Sequence, residues 1–583
     1  MMKLSNCIKK ISGMSAAVIV ALTLTTQQIF AQTPEQEEIK LEDTCAVHQV
    51  LFDNAAVPVL TRKDSETCKD STIYHNLAEK IRFYTNFESG RVGNVMFCGI
   101  DTISDANNAN IAHYSYNIYS AEDPLNPVDT ALAPSSRWFY FLMTGVKGKS
   151  VTINIKHSDP RAPMYSYDGK NFERFDPLCE SVLTDNPDND RKRLITTKIF
   201  ENDSVYIAYY TPYTNGRLQK KLDEWRYKTG VNIYSIGKSS QGREMPMLLI
   251  TNTYKSDKEK RKIYIHGRIH PSESPASWCL EGLIDTLTSN SEYAKALRDN
   301  AIFYILPFIN PDGVALGYSR CNANGVNMEI NYNREDSLTE QEVKNVKKFI
   351  ETTTYGGEHF DMFINFHSQV ANCATYWVHT EETTSPSYFK NLMTFCALTT
   401  DNNPYFNKEC LSFSRMNSKY LEGYFWDNFG DKTVALTWET PYSSYNKEDS
   451  LWVTNQNLKE LGARILDATG DFLGIDNPSR VITLPSRTYE CRKLNDAKHL
   501  YLRDKYYIAT SDKAFVRYKV KNLQPGEYDI YQWVVGENKR VSEEGENCWK
   551  PIGKHIQDKE GDYIYTMKMK KGEKANAIIL ISK

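Results

Sequence analysis

Three regimes of apolar spacing follow one another along this chain. From Cys45 to Tyr213 apolar and aromatic residues alternate with polar ones in short runs: HYSYNIYS (His113–Ser120), RWFYFLMTG (Arg137–Gly145), SVTINIKH (Ser150–His157), APMYSYDG (Ala162–Gly169) and SVYIAYYTPY (Ser204–Tyr213). Period-two patterning with turn residues between the runs predicts a β-sandwich. At Thr214 the spacing changes. Thr214 is placed to cap a helix with Leu218, Leu222 and Trp225 on one face, and Gly230 sits where that helix would end. Beyond it, apolar runs at Met247–Ile250, Lys262–Ile265, Ala301–Leu306, Met362–Phe366 and Thr433–Thr437 alternate with helical stretches such as Ala276–Leu287, Glu342–Glu351 and Asn457–Phe472. Runs that are apolar on both faces and separated by helices predict a mixed, mainly parallel α/β sheet with helices on its faces. After the turn-rich Asp476-Asn477-Pro478-Ser479, alternation returns in KAFVRYKVKNL, EYDIYQWVV, DYIYTMKMKKG and ANAIILISK, which predicts a C-terminal β-sandwich.

A length of 583 residues suits three or so domains. The boundaries are expected at 1–31 (an export signal), 32–213, 214–476 and 477–583. Lys3, Lys9 and Lys10 precede the apolar stretch Ala16–Leu24, and Ile29-Phe30-Ala31 offers a cut site, so delivery to the periplasm or outside the cell is expected. About ten apolar residues are too few to span a hydrocarbon core, so no membrane anchor remains after cleavage. A net charge of −3 with 25% charged residues gives no electrostatic case for nucleic acid as a partner. Removing Cys7 with the signal leaves eleven of the twelve cysteines, with no C-x-x-C pair. Buried free thiols are the simplest reading, and Cys45 with Cys68 or Cys396 with Cys410 are the sequence-near pairs if disulfides form.

The chemistry gathers where apolar runs end. His270 and Glu273, three positions apart, follow Lys262–Ile265 in IYIHGRIHPSES. His367 ends DMFINFHSQ, and Glu439 ends TVALTWETP. In an open α/β sheet ligands collect at strand carboxyl ends, which is where all three positions are expected. Two histidines and one carboxylate around an open position are a hydrolytic Zn²⁺ site, and a separate carboxylate is what such an ion needs to handle protons.

The segments Ser235–Thr251, Gly267–Leu287, Ile309–Cys321, Asn331–Glu335, Glu340–Glu351, Phe363–Gln369 and Ala435–Pro441 resemble, in order, the zinc metallocarboxypeptidases, and within them the cytosolic carboxypeptidase branch that shortens acidic protein tails. FESGRVGNV (Phe87–Val95), RWFYF, MYSYDGKNF (Met164–Phe172) and YIAYYTPYT (Tyr206–Thr214) are similar to the β domain that precedes the catalytic domain in that branch. The resemblance implies Zn²⁺ on His270, Glu273 and His367, and a peptide or protein C-terminus as substrate. It also implies Glu439 as general base, Arg320 as the cation that polarises the scissile carbonyl, and Asn333 with Arg334 as the grip on the terminal carboxylate. One departure is plain: GVNMEINYNRE carries extra residues between Gly325-Val326 and Asn333-Arg334, where the family has a compact Gly-Val-Asp-Leu-Asn-Arg. The family's mobile tyrosine has no firm match among Tyr420 and Tyr424. Arg415, Lys419 and Lys432 would suit an acidic substrate side chain and Glu422 and Asp427 a basic one, so side-chain preference stays open, as does oligomeric state. The rivals are a zinc amidase or cell-wall peptide hydrolase of the same fold, and a non-catalytic surface-binding protein.

Overall fold

The computed structural model describes residues 81–583 apart from 105–109, 157–162, 177–179, 184–192, 408–409, 447–449, 504 and 538–547. The expected export segment 1–31 and the Cys45–Cys68 pairing lie outside the described residues. Among the described residues no helix is long and apolar enough to cross a membrane.

The centre is an eight-stranded sheet of β1 (Val231–Lys238), β2 (Glu244–Ile250), β3 (Arg261–Gly267), β4 (Ala301–Leu306), β5 (Met362–Gln369), β6 (Thr375–His379), β7 (Leu411–Ser414) and β8 (Val434–Pro441), in the order β1-β2-β4-β3-β5-β8-β6-β7. Strands β4, β3, β5 and β8 form a parallel block. Antiparallel pairs flank it, β1–β2–β4 on one side and β8–β6 on the other. The parallel block is apolar on both faces because helices cover both. Ile263, Ile265, Ile364, Phe366 and Trp438 belong to a core with α2 (Ser274–Leu287) and α5 (Asn455–Leu473), while Tyr264, Phe363 and Ala435 pack with α3 (Gln341–Thr353) and α4 (Leu421–Phe429). Helices α2 and α5 cross closely because glycines face each other's backbone. A Cβ on Gly282 would stand 2.2 Å from the Lys459 carbonyl oxygen.

Helix α1 (Asn215–Trp225) opens this region as its sequence requires. The Thr214 hydroxyl accepts from Arg217 N at 3.2 Å, and Leu218, Leu222 and Trp225 are buried. It stops before Gly230, which instead takes a φ of 77° in the turn into β1. The strands are longer than their apolar runs. His367 and Glu439, expected just past strand ends, lie inside the last turns of the ladder, because the backbone keeps pairing after the apolar pattern has ended.

Two five-stranded sheets precede α1. One holds Arg82–Tyr84, Tyr140–Thr144, Ser204–Ala208, Met164–Ser166 and Glu173–Arg174, and the other Asn94–Ser104, Asn110–Tyr119, Ser150–Lys156, Arg193–Ile199 and Glu180–Leu183. Phe83 of the first meets Tyr116 of the second edge-on, with ring centroids 5.1 Å apart. After α5, Gly474 closes the helix in a left-handed cap with φ 78°. Antiparallel sheets follow, the four-stranded and one three-stranded sheet sharing a core of Val516, Tyr518, Val520, Ile530 and Leu580. Cys396 and Cys410 are buried free thiols and do not form the pairing their spacing allowed. Desolvation holds both thiols protonated, Cys410 being pushed up to about 12.

Candidate metal centre

Strand β3 delivers the chain into a tight turn before α2, and that turn is held from several sides. Arg268 takes a positive φ of 55°, a conformation a side chain rarely adopts, and its buried guanidinium donates to the Pro271 carbonyl, to the Tyr213 carbonyl at 3.0 Å and to the Ser277 hydroxyl. Asn310 donates to the Ile269 carbonyl at 3.1 Å. Ser272, between the two predicted ligands, donates from both N and Oγ to the Ser319 carbonyl. These bonds aim His270 and Glu273 at one point. Glu273 occupies the N-cap position of α2 without capping it, because its carboxylate is turned to the imidazoles.

Four donor atoms meet there. His270 Nδ1 and His367 Nδ1 are 3.2 Å apart, and each is 2.9 Å from a different oxygen of Glu273. Ser368 N also donates to Glu273 Oε2 at 3.0 Å, fixing the carboxylate to β5. All three residues are buried. Burial and Arg320 work against protonation of His270, but Glu273 and Glu329 outweigh them and raise its pKa. Glu439 is paired with His367 in the β5–β8 ladder, and its Oε2 is enclosed with no hydrogen-bond partner. Desolvation, with Glu273 and Glu329 adding to it, pushes the Glu439 carboxyl up to about 8 against the opposing pull of His367 and Arg320.

Arg320 reaches the same point, its guanidinium 3.2 Å from Glu329 Oε2 and 4.0 Å from Glu273 Oε1. Thus His270, Glu273, His367, Glu439 and Arg320 come together as their sequence positions suggested. Asn333 and Arg334 do not join them. Asn333 is exposed, and Arg334 donates to the Val128 carbonyl at 3.2 Å and lies 3.9 Å from Asp129 Oδ2. The cause is the run of extra residues. A short 3₁₀ turn at Met328–Ile330, capped by Asn327, brings Asn327 Oδ1 to 3.3 Å and Glu329 Oε2 to 3.0 Å from His270 Nε2. Neither residue was singled out from the sequence.

Below this point, one step down the same faces of β5 and β8, Asn365 and Thr437 both hydrogen-bond the buried Glu422 of α4, and Asn365 also meets His266 Nε2 at 2.8 Å. Burial and the neighbouring His367 push His266 down to about 3, so it stays neutral. Arg415, Asp427 and Lys432 are exposed, Lys419 lies over the Tyr420 ring, and the Tyr424 hydroxyl is directed to Glu351.

Residues 220–423 match the zinc carboxypeptidase family. The chain carries a zinc carboxypeptidase domain. It is similar to mouse cytosolic carboxypeptidase 6, 31% identical over 266 residues that cover 42% of this chain and 45% of the relative, and to the human protein of that name, 30% identical over 42% and 48%. The chain therefore spans about half the length of these relatives. A metallo-carboxypeptidase from Burkholderia cenocepacia superposes with a TM-score of 0.52 at 23% identity, covering 67% of this chain and 98% of that one, and one from Pseudomonas aeruginosa does so at 0.52 and 20%, covering 67% and 99%. At those identities the likeness is one of fold. The carboxypeptidase family uses Zn²⁺, and the residues here fit it. Donors about 2.0–2.2 Å from a tetrahedral ion lie about 3.3 Å from each other, close to the 3.2 Å between the two imidazole nitrogens and the 2.9 Å from each of them to a Glu273 oxygen.

If these atoms hold the ion, the purified protein contains one Zn²⁺, and His270→Ala or His367→Ala weakens its retention by more than about 100-fold in chelator competition. Stoichiometric zinc in the double variant would place the ion elsewhere.

Proposed function

We propose that this chain is a zinc-dependent carboxypeptidase that hydrolyses the C-terminal peptide bond of peptides or proteins. The observation that carries the reading is the convergence of His270 Nδ1, His367 Nδ1 and both Glu273 oxygens beside the unpartnered Glu439 Oε2. His270, Glu273 and His367 would hold the ion. When bound, Zn²⁺ polarises a carbonyl and brings the pKa of a water to about 7. Glu439 takes the water's proton as the scissile carbonyl is attacked and returns it to the leaving amine, a role open to it because its Oε2 is not already engaged. Arg320, which is 3.2 Å from Glu329 Oε2, supplies positive charge where the carbonyl oxygen becomes negative.

Asn333 and Arg334 take the terminal carboxylate in this reading. A free carboxylate then has to replace Asp129 and the Val128 carbonyl as partners of Arg334. That same engagement, with Glu329 beside the donor atoms, favours a second reading as a zinc amidase or cell-wall peptide hydrolase, whose substrate brings no free carboxylate to this side.

Two experiments separate the readings and test the base. Glu439→Gln keeps zinc and fold but loses about 100-fold or more in kcat, because an amide cannot accept the proton. Near wild-type turnover would remove Glu439 from the mechanism. Peptides with a free C-terminus are cut about 10–100-fold better than their amidated forms, the worth of a charge-assisted bidentate contact of about 1.5–3 kcal/mol, and Arg334→Ala abolishes the difference. Equal cleavage of both forms by the native enzyme would reject the carboxypeptidase reading in favour of the amidase.

A further inference from the structure

The loop that carries Arg320, Asn327 and Glu329 is held from outside the central sheet. Asp123 belongs to the connection between the strands Asn110–Tyr119 and Tyr140–Thr144 of the N-terminal β region, and it is buried with 6% of its surface exposed. Its Oδ1 accepts from Ser319 N at 2.7 Å, and its Oδ2 from Arg320 N at 2.7 Å and Cys321 N at 3.3 Å. One carboxylate therefore gathers three consecutive backbone N–H groups, the middle one belonging to Arg320. The Ser319 hydroxyl accepts in turn from Arg137 N at 3.0 Å and Trp138 N at 3.2 Å, at the far end of the same connection. The Ser319 carbonyl receives both bonds from Ser272, which sits between His270 and Glu273.

The contact continues along the connection. Asn126 Oδ1 accepts from Val128 N and Asp129 N, shaping the turn whose outer atoms meet Arg334. A Cβ on Gly325 would come within 2.8 Å of the Leu125 carbonyl oxygen, so the two backbones pass in close contact there. The β region thus touches the loop at Ser319–Cys321, at Gly325 and at Arg334.

We infer that Asp123 is a positioning residue for Arg320: it fixes the backbone from which the guanidinium reaches the scissile carbonyl, so the N-terminal β region supplies part of the catalytic apparatus. The inference rests on the role given to Arg320 under the proposed function. A long side chain on an unanchored backbone spreads its charge over many positions, and a misplacement of about 1 Å can cost about 100-fold in rate. Asparagine at 123 keeps one acceptor oxygen but turns an amide N–H toward backbone N–H groups, donor against donor. The substitution removes none of the Ser272 bonds directly, but the Ser319 carbonyl that receives them shares a peptide plane with Arg320 N, so zinc content is measured beside kcat.

The test uses the full chain loaded with zinc, comparing Asp123→Asn, Arg320→Ala and the double variant for zinc content, kcat and KM on one peptide. Asp123→Asn is expected to retain one zinc and lose about 10–100-fold in kcat with KM changed by less than about threefold. In the Arg320→Ala background the same change is expected to cost less than about threefold, because the group it positions is gone. Equal losses in both backgrounds, an unchanged kcat in the single variant, or zinc lost in parallel with activity would overturn the inference and leave Asp123 a general support of the fold. Should Asp123→Asn fail to fold, Asp123→Glu, which keeps both acceptor oxygens one methylene further out, carries the same comparison with the same deciding results. If Arg320→Ala alone leaves kcat intact, the role of Arg320 itself falls, and the Asp123 inference with it. That result is distinct from a loss that is real but additive.

Discussion

Parallel pairing of β5 with β8 sets His367 opposite Glu439, with both side chains on one face of the sheet. Side chains alternate along a strand, so a slip of one residue in this ladder would turn one of the two into the opposite layer and separate the imidazole from the carboxylate. The adjoining strand β3, in register with β5 up to Gly267, releases the chain into the turn that carries His270 and Glu273. Three neighbouring strand ends therefore deliver His270, Glu273, His367 and Glu439, while Arg320 and Glu329 reach the centre from the loop that follows β4. One step inward on the same faces, Asn365 and Thr437 close the layer onto Glu422 with hydrogen bonds, so the polar site does not open into the apolar core.

The electrostatics of that point favour a bound cation. Glu273, Glu329 and Glu439 surround two imidazoles, with Arg320 the guanidinium that reaches them. Carboxylates withdrawn from water are costly unless cations or hydrogen-bond donors compensate them. Without a metal the protein answers by raising the pKa of His270, His367 and Glu439, which keeps protons in the cluster. Zn²⁺ held by His270, Glu273 and His367 would supply positive charge in place of those protons and would favour the ionised form of Glu439.

What could be read from the sequence followed from how locally each feature is determined. Apolar runs located β3, β4, β5 and β8, and residues at or just beyond their ends could be named as candidate ligands and base, because strands in an open α/β sheet gather their carboxyl ends on one edge. Arg320 was legible through its motif. Asn327 and Glu329 were not, because a 3₁₀ turn folds them back on His270, and no periodicity announces a single turn in an irregular loop. The same turn leads Asn333 and Arg334 away from the donor atoms. Asp123 was beyond reach for another reason: it meets Ser319–Cys321 across a separation of nearly two hundred residues, between regions whose patterns are independent.

X-ray absorption at the zinc edge on the metal-loaded full chain tests the central claim most directly, since it reads the ion's own neighbours without relying on turnover. The account predicts two imidazole nitrogens at about 2.0–2.1 Å with carboxylate or water oxygen completing the shell, and no sulfur. A scatterer at about 2.3 Å, the distance of a thiolate, or a shell of oxygens lacking imidazole would contradict it.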